Sequence, residues 1–326
     1  MEFSLLAGVI HKFIESIEVS IMAVYVNTNV SSLNGRRYLN NVQNQLTTTY
    51  QRLSSGMRIN SAKDDAAGLQ IADRLTTQIN GLNQGNRNSN DAIALAQTME
   101  GALDETTNML QKIRTLAVQA SNGTNTQEDR NALQQEVTSL SREINRIAGQ
   151  TKFGGQNILL SHGKGMLDAK GQITFQVGAN KGDEIVLQAL TSGFTMSGIA
   201  TKAGLELKAA ADAKDSGLVQ DNANGARWSV STADTAKKTL ENIDKFIAAV
   251  DGKRADLGAF QNRLESSIRN QSNVSANQAD ARSRIRDADF AEESAALSQQ
   301  SIIQQAATSM LMQANSRPQL ALSMLG

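Results

Sequence analysis

Residues 294–316 read SAALSQQSIIQQAATSMLMQANS, and this stretch contains no charged side chain. Its apolar residues recur at the spacing of one helical face, while Ser, Thr, Gln and Asn fill the other positions. A lone helix in water normally carries charges on its exposed face. The stretch therefore predicts a helix that is surrounded by protein. Its apolar positions are Ile302, Ile303, Ala306, Ala307, Met310, Leu311 and Ala314.

The other end of the chain has a matching segment. Residues 38–51 also lack charge, and Leu39, Leu46 and Leu53 repeat at intervals of seven. Two segments of one type at opposite ends predict helices that pair and then assemble with copies of the same chain. The residues expected to carry this self-assembly are Leu39, Leu46, Leu53, Ile302, Ile303, Met310 and Leu311.

The composition favours long helices over a thick globular core. Proline occurs once among 326 residues and aromatic residues make up 4%. Proline in a helix interior costs roughly 3 kcal/mol, so its scarcity suits unbroken helices. The predicted fold class is mainly α: an elongated antiparallel helical coiled-coil rod with a small β-hairpin region. The absence of cysteine excludes disulfides and thiolate metal sites, and a net charge of zero makes nucleic acid an improbable partner.

Apolar periodicity and turn signals predict the order of elements along the chain. Helices are expected over 27–58, 61–120, 129–149, 232–286 and 289–315, a hairpin over 173–189, and a loop over 191–231. Ser61 with Asp64, and Ser231 with Asp234, have the spacing of capping boxes. Asn86, Gln271 and Gln278 fall at inner positions of the two long helices. Polar residues at such positions weaken a coiled coil but fix its register.

Residues 1–21 differ from the rest of the chain. They are mildly apolar, but their charges and the lack of a basic start argue against a signal peptide. A second methionine, Met22, directly precedes the pattern that governs the remainder. We interpret 1–21 as an extension that arises from an upstream start site, with a genuine amphipathic extension as the alternative. Membrane insertion is not expected, because the uncharged C-terminal segment is too rich in Gln and Ser.

Four motifs resemble bacterial flagellins, and they occur in the same order as in that family. They are SGMRINSAKDDAAGLQIADRL at 55–75, LAVQASNGT at 116–124, GQTKFGGQNIL at 149–159 and RIRDADFAEESAALSQQSIIQQAATSMLMQAN at 284–315. The resemblance covers residues 22–190 and 232–326. Several long motifs in register make the resemblance specific.

The resemblance implies a structural subunit that polymerises into the flagellar filament for motility and is secreted unfolded through the flagellar type III export system. It implies inner-layer (D0) terminal helices at 22–60 and 289–326, and a D1 helical layer with the hairpin at 61–190 and 232–288. Residues 191–231 would be a short variable insertion. The implied partners are other flagellin subunits, an export chaperone on the C-terminal helix, and the filament cap and junction proteins.

The resemblance also implies a possible receptor patch. Family members recognised by the flagellin-sensing Toll-like receptor use the first long helix and its short neighbour. The matching positions here are Lys112, Arg114, Leu116 and Glu136, but Thr115 stands where those members often carry an acid. Contacts between subunits are an equally good explanation of this face.

No enzyme, cofactor or metal site is predicted. The acid pairs Asp64–Asp65 and Asp287 with Asp289 sit at predicted helix starts, where capping or salt bridging accounts for them better than catalysis does. The two histidines, His11 and His162, lie near no second ligand candidate.

Two other functions fit parts of the pattern. A hook–filament junction protein would share the terminal helices, but such proteins tend to carry a proline soon after the paired aspartates. Here Ala66, Ala67 and Gly68 follow instead. An adhesive surface protein would need a substantial exposed domain, and the middle of this chain is short.

Overall fold

The computed structural model describes residues 28–161, 163, 165–168, 170–188, 191–205, 207, 217–221 and 225–323. Within these ranges the chain is mainly helical with short antiparallel hairpins, which confirms the predicted fold class. The extension at 1–21 and both histidines lie outside the described residues. The helices are α1 (Val30–Ser55), α2 (Ala66–Ser121), α3 (Gln127–Gln150), α4 (Met196–Ala203), α5 (Ala233–Arg286) and α6 (Phe290–Ser323). The strands are β1 (Lys152–Phe153), β2 (Gln156–Asn157), β3 (Gln172–Gln176), β4 (Glu184–Gln188), β5 (Leu218–Asp221) and β6 (Gly225–Trp228).

The chain divides into two compact units. The first comprises Met1–Ala72 with Arg282–Gly326, and the second comprises Asp73–Ala281. In the first unit, α1 and α6 pack together and run antiparallel. Asn29 Nδ2 donates to Ala314 O at 2.7 Å near one end, and Arg52 Nη1 lies 3.0 Å from Glu293 Oε1 near the other. The predicted pairing of the two ends of the chain is therefore present within a single molecule.

The segments that lead out of the paired helices are held to each other by their backbones. Arg58 N donates to Arg286 O at 2.7 Å, and Ala288 N donates to Gly56 O at 3.0 Å. Gly56 ends α1 at a φ of 68°, a left-handed conformation that suits glycine. The break predicted at Ser54–Gly56 is thus the C-cap of α1.

In the second unit, α2 and α5 form an antiparallel pair with polar links along its length. From one linked pair to the next, the residue number increases along α2 and decreases along α5, so the two helices keep one register. The links are Gln78–Gln278 at 3.1 Å, Asn83–Ser275 at 3.4 Å, Asn86–Ser272 at 3.4 Å, Glu100–Gln261 at 2.8 Å, Asp104–Arg254 at 2.8 Å, Thr107–Asp251 at 3.2 Å and Arg114–Asp244 at 2.8 Å. Asn86 and Gln278 take part in them, as expected for polar residues that fix register, whereas Gln271 donates instead to Ser267 Oγ of its own helix at 3.1 Å.

The predicted hairpin is present as β3 and β4, with Ile173 opposite Leu187 and Phe175 opposite Ile185. Its end approaches α2 closely. An added Cβ on Gly85 would lie 1.8 Å from Val177 O, and one on Gly81 would lie 2.7 Å from Ala179 Cβ. Only glycine therefore allows this approach at these two positions of the helix.

The segment predicted as a loop, 191–231, contains regular structure instead. It includes α4 and the hairpin of β5 and β6, and it contributes Phe194, Met196, Ile199 and Trp228 to the buried core of the second unit. The prediction failed because this segment is too short and too rich in small polar residues to show periodicity. Its core residues form small groups, such as Phe194, Met196 and Ile199, and each group is too short to define a periodic pattern.

Polar side chains of α3 hold this segment in place. Asn145 accepts a hydrogen bond from Met196 N at 2.9 Å and donates to Ala226 O at 3.3 Å. Gln134 accepts from Val230 N at 2.6 Å and donates to Trp228 O at 3.0 Å. Buried backbone groups of a short segment need such partners, because unpaired ones would be costly.

Two predicted helix caps differ from the observed ones. Asp64 does accept hydrogen bonds from the backbone of Ser61 at 2.9 Å, but α2 begins at Ala66, and Asp65 caps it by accepting from Gly68 N at 2.9 Å. At the start of α5 the reciprocal bonds join Thr232 and Thr235. In both cases the cap lies next to the predicted residues.

A capping box that the sequence did not single out begins α3. Thr126 Oγ1 and Thr126 N donate to Asp129 Oδ2 at 2.7 and 2.9 Å. The Thr126 hydroxyl, and then its backbone N–H, lower the pKa of Asp129 below its usual value. A carboxylate with a lowered pKa stabilises the fold above its unfolded-state pKa of about 3.9, and this contribution is lost as pH falls through the folded-state pKa.

We therefore expect Asp129→Asn to lower the melting temperature at pH 7, as followed by circular dichroism. The difference from the unmodified chain is expected to shrink progressively below about pH 4 and to vanish in stronger acid. A difference of constant size across this range would contradict the assignment.

Candidate functional site

The residues predicted to carry self-assembly divide between two faces of the α1–α6 pair. Leu46 is buried, and Leu39, Leu53, Ile303 and Leu311 are half-buried on the faces that pack within the chain. Ile302 and Met310 are instead exposed, each at 67% of the maximal accessible area. The apolar positions of α6 thus serve the contact with α1 and a second, outward surface.

Helical geometry explains this division. Successive residues turn by about 100°, so neighbours Ile302 and Ile303 cannot both face α1. The buried Ala307 marks the centre of the inward side. Ile302 and Met312 each lie about 140° from it around the helix, and Met312 is 66% exposed. Met310 lies nearer to the inward side, at the edge of the contact with α1.

Large apolar side chains of α1 are also exposed. Leu33 is 49% exposed, and Tyr38 and Tyr50 are 58% and 57% exposed. The sequence pattern did not reveal Tyr38 and Tyr50, because they fall outside the Leu39, Leu46 and Leu53 series, and Leu33, which that pattern places inward, is exposed instead. The signal that could have found them is the presence of apolar residues off the phase of the main stripe in a segment without charge.

A groove of about 620 Å³ runs between the two helices near the Asn29 end. Its apolar lining comes from Tyr38, Ile303, Ala306, Ala307 and Met310. The groove is narrow beside Gly35, since a Cβ there would lie 3.2 Å from Leu311 Cδ1. Small residues let the helices approach, and the larger side chains at the rim leave a concave apolar surface. The other lining residues are Ser31, Asn34, Gly35, Gln313 and Ala314.

Among the described side chains, the ionic contact within this helix pair lies at one end. Arg52 and Glu293 form a partly buried salt bridge, with side-chain exposures of 31% and 12%. Farther along the pair, the contact described is a neutral hydrogen bond in which Thr49 Oγ1 donates to Gln300 Oε1 at 3.2 Å. Between these contacts and Ala314, α6 presents uncharged side chains to its surroundings. Such a surface suits contact with protein and has no charged group that could bind an ionic ligand.

The residues predicted as a receptor patch are only partly at the surface. Lys112 Nζ lies 2.9 Å from Glu136 Oε1, and Arg114 Nε lies 2.8 Å from Asp244 Oδ1. These side chains are well exposed. Leu116, however, is only 7% exposed and belongs to the core. Its side chain is directed into the protein, so a surface patch here consists of the three charged residues.

The paired acids have structural partners. Asp289 Oδ1 accepts from Ala291 N at 2.8 Å and caps α6. Backbone hydrogen bonds from Ser61 and then Asn60 lower the pKa of Asp64, which favours its charged, capping form. Among the residues that the structure describes, no group of three or more His, Cys, Asp or Glu is placed to hold a metal ion. Over the same part of the chain, no helix has the length and apolarity needed to cross a membrane.

Comparison with known proteins identifies the family. Residues 26–163 match the bacterial flagellin N-terminal helical region, and residues 240–325 match the bacterial flagellin C-terminal helical region. Flagellin B of Vibrio cholerae serotype O1 is 37% identical over 383 aligned positions, which cover 94% of this chain and 100% of that protein. Flagellin D of Vibrio anguillarum is 37% identical over 384 positions, with the same coverage.

A solved structure of a protein described as flagellar hook-associated, from Vibrio parahaemolyticus, has a TM-score of 0.52 and covers 69% of this chain and 100% of that chain. At 17% identity this likeness concerns the fold alone. The matches to the family models and to full-length relatives establish the family as well as the fold. The chain belongs to the bacterial flagellin family, whose members are subunits of the extracellular flagellar filament.

Proposed function

We propose that the outward surface of the α1–α6 pair is where subunits of the flagellar filament contact one another. The observation that carries the proposal is the exposure of Ile302, Met310 and Met312, at 67%, 67% and 66%, on a helix whose middle has no charge. Ile302 and Met312, which point away from α1, define what we call the outward apolar face, while Met310 and Tyr38 line the rim of the adjoining groove.

Burial energetics support this proposal. Apolar area removed from water contributes about 25 cal/mol per Å², so one large side chain contributes about 1.5–3 kcal/mol when it becomes fully buried. Exposed singly, such residues are ordinary at protein surfaces, but several together on a long uncharged stretch of helix mark an interaction site. The occupant is a second copy, because polymerisation is the property that unites the family.

The same proposal assigns a layer of the filament to each segment of the chain. Residues 22–60 and 289–326 serve as the inner layer, 61–190 and 232–288 as the next layer, and 191–231 as the short variable part. Although 191–231 is assigned to the variable part, this segment also contributes side chains to the core of the second unit.

The remaining partners are proposed from family membership. The subunit leaves the cell unfolded through the flagellar export system, with a chaperone on α6 beforehand, and then meets cap and junction proteins at the filament. It has no catalytic role. Lys112, Arg114 and Glu136 offer a charged surface for the flagellin-sensing receptor.

The sharpest test compares two neighbouring residues. We expect Ile302→Gln to leave the helix content of the free subunit unchanged. It is expected to raise the critical concentration for polymerisation by about ten- to a hundredfold, the equivalent of one apolar side chain. Sedimentation and electron microscopy of filaments measure polymerisation, and circular dichroism measures helix content.

Ile303→Gln is the matched control, because it introduces the same side chain one position along the helix. Since Ile303 lies on the side that packs against α1, we expect this change to weaken the α1–α6 pair itself and to lower helix content. Polymerisation of Ile302→Gln at the concentration of the unmodified chain would refute the proposed contact surface.

A further inference from the structure

We propose that Met310 and Met312 are sites of reversible oxidation in the unassembled subunit, and that their sulfoxides block its polymerisation. This inference rests on the contact surface proposed above. It concerns the thioether groups of two residues that are one position apart on either side of Leu311.

The first support is exposure. Met310 and Met312 are 67% and 66% exposed, whereas Met166 is 37% exposed and Met99 and Met196 are 1% and 0% exposed. Among the methionines whose side chains the structure describes, these two are by far the most accessible to an oxidant in solution. Oxidation is therefore expected to be selective within one chain.

The second support is composition. The chain contains no cysteine, so methionine supplies all of its sulfur and no thiol competes for the oxidant. Thiolates usually react first where they are present. In this chain, exposure alone decides which sulfur reacts.

The chemistry is a two-electron oxygen transfer from a peroxide. The thioether sulfur attacks one peroxide oxygen, the O–O bond breaks as the S–O bond forms, and the other oxygen leaves as water. The sulfur is oxidised from thioether to sulfoxide, and the peroxide is reduced. Methionine sulfoxide reductases reverse the change at the expense of thiols.

Oxidation is expected to weaken polymerisation because of where the two residues lie. Met310 lines the apolar groove with Ile303, Ala306 and Ala307, and Met312 lies on the outward apolar face. A sulfoxide is more polar and bulkier than a thioether, so its burial is less favourable even where polar residues such as Asn34 and Gln313 border the site. Packing an oxidised copy against another copy would therefore lose apolar contact and desolvate a polar oxygen.

The experiment treats the free subunit with dilute hydrogen peroxide and maps oxidation by peptide mass spectrometry. We expect Met310 and Met312 to oxidise at least about tenfold faster than Met99 and Met196, and the critical concentration for polymerisation to rise at least about tenfold. Treatment with both stereospecific sulfoxide reductases is expected to restore polymerisation. Assembled filaments are expected to oxidise more slowly at the same two residues.

A double variant, Met310→Leu with Met312→Leu, keeps apolar side chains of similar volume without an oxidisable sulfur. It is expected to polymerise equally well before and after peroxide. If the variant lost polymerisation after peroxide, or if the oxidised unmodified subunit still polymerised normally, the inference would be overturned while the contact surface stood. Failure of the untreated, unmodified subunit to polymerise would instead count against the proposed function.

The double variant itself could fail to polymerise before treatment. In that case the test is whether the reductases restore polymerisation of the oxidised, unmodified subunit, and persistent loss after complete reduction would contradict the inference.

Discussion

Replacing Trp228 with alanine is expected to lower the free energy of unfolding of the second unit by about 3–5 kcal/mol. Trp228 is fully buried, and its ring packs edge-on against Phe246 with the centroids 5.0 Å apart. Truncation would lose this apolar contact and leave a cavity among helices that cannot fully collapse. The effect would be felt by β5, β6 and α4, since the backbone of Trp228 also bonds to Gln134.

Trp228→Phe is the matched comparison. The indole Nε1 of Trp228 has no hydrogen-bond partner among the residues that the structure describes, so a phenyl ring there gives up volume but none of these polar contacts. We expect a loss of about 1–2 kcal/mol for this variant, clearly less than for alanine. Because Trp228 is the only tryptophan, denaturant titrations should be followed by circular dichroism rather than by fluorescence. Equal losses in both variants would contradict the cavity explanation.

Replacing Gly85 with alanine is expected to destabilise the second unit by about 1–3 kcal/mol, although alanine is the better helix former. The new methyl group would overlap Val177 O, which would lie only 1.8 Å away without movement. Relief requires the end of the β3–β4 hairpin to shift off α2, which would strain the bond from Asn88 Nδ2 to Gln176 O, now 2.8 Å long.

Gly101→Ala, in the same helix, provides the control. A Cβ at Gly101 would meet nothing within 4 Å. This change is therefore expected to stabilise the chain by roughly 0.5–1 kcal/mol through helix propensity alone. Hydrogen exchange of the amides in β3 and β4 should accelerate in Gly85→Ala and stay unchanged in Gly101→Ala. The same exchange rate in both variants would show that the hairpin does not depend on the close approach.

Much of the helical layout could be predicted from the sequence, because long amphipathic patterns and turn residues are local signals. The end of α1 at Gly56, the short helix α3 and the presence of the β3–β4 hairpin all follow from local spacing and turn residues. Polar residues at inner positions likewise predicted where α2 and α5 hold their register.

What escaped prediction depends on contacts between distant parts of the chain. The core role of Trp228 depends on hydrogen bonds between its backbone and side chains of α3, and that of Phe194 on a backbone hydrogen bond to Leu159 O, and no local pattern reveals either. The split between Ile302 and Ile303 depends on which side of α6 meets α1, and spacing alone leaves that phase open. The sequence therefore placed the candidate surface on α1 and α6 but left open which of their faces is exposed.

The antiparallel pairing of α2 with α5 also sets a condition on biosynthesis. Arg114 and Asp244 are 130 residues apart in sequence, Gln78 and Gln278 are 200 apart, and Asn29 and Ala314 are 285 apart. Chains grow from the N-terminus, and distant contacts close late because loop closure must come first. The N-terminal helices therefore cannot pack against their partner helices until nearly the whole polypeptide has been synthesised. Ribosomes that stall before α6 would release chains in which α1 has no helix to pack against.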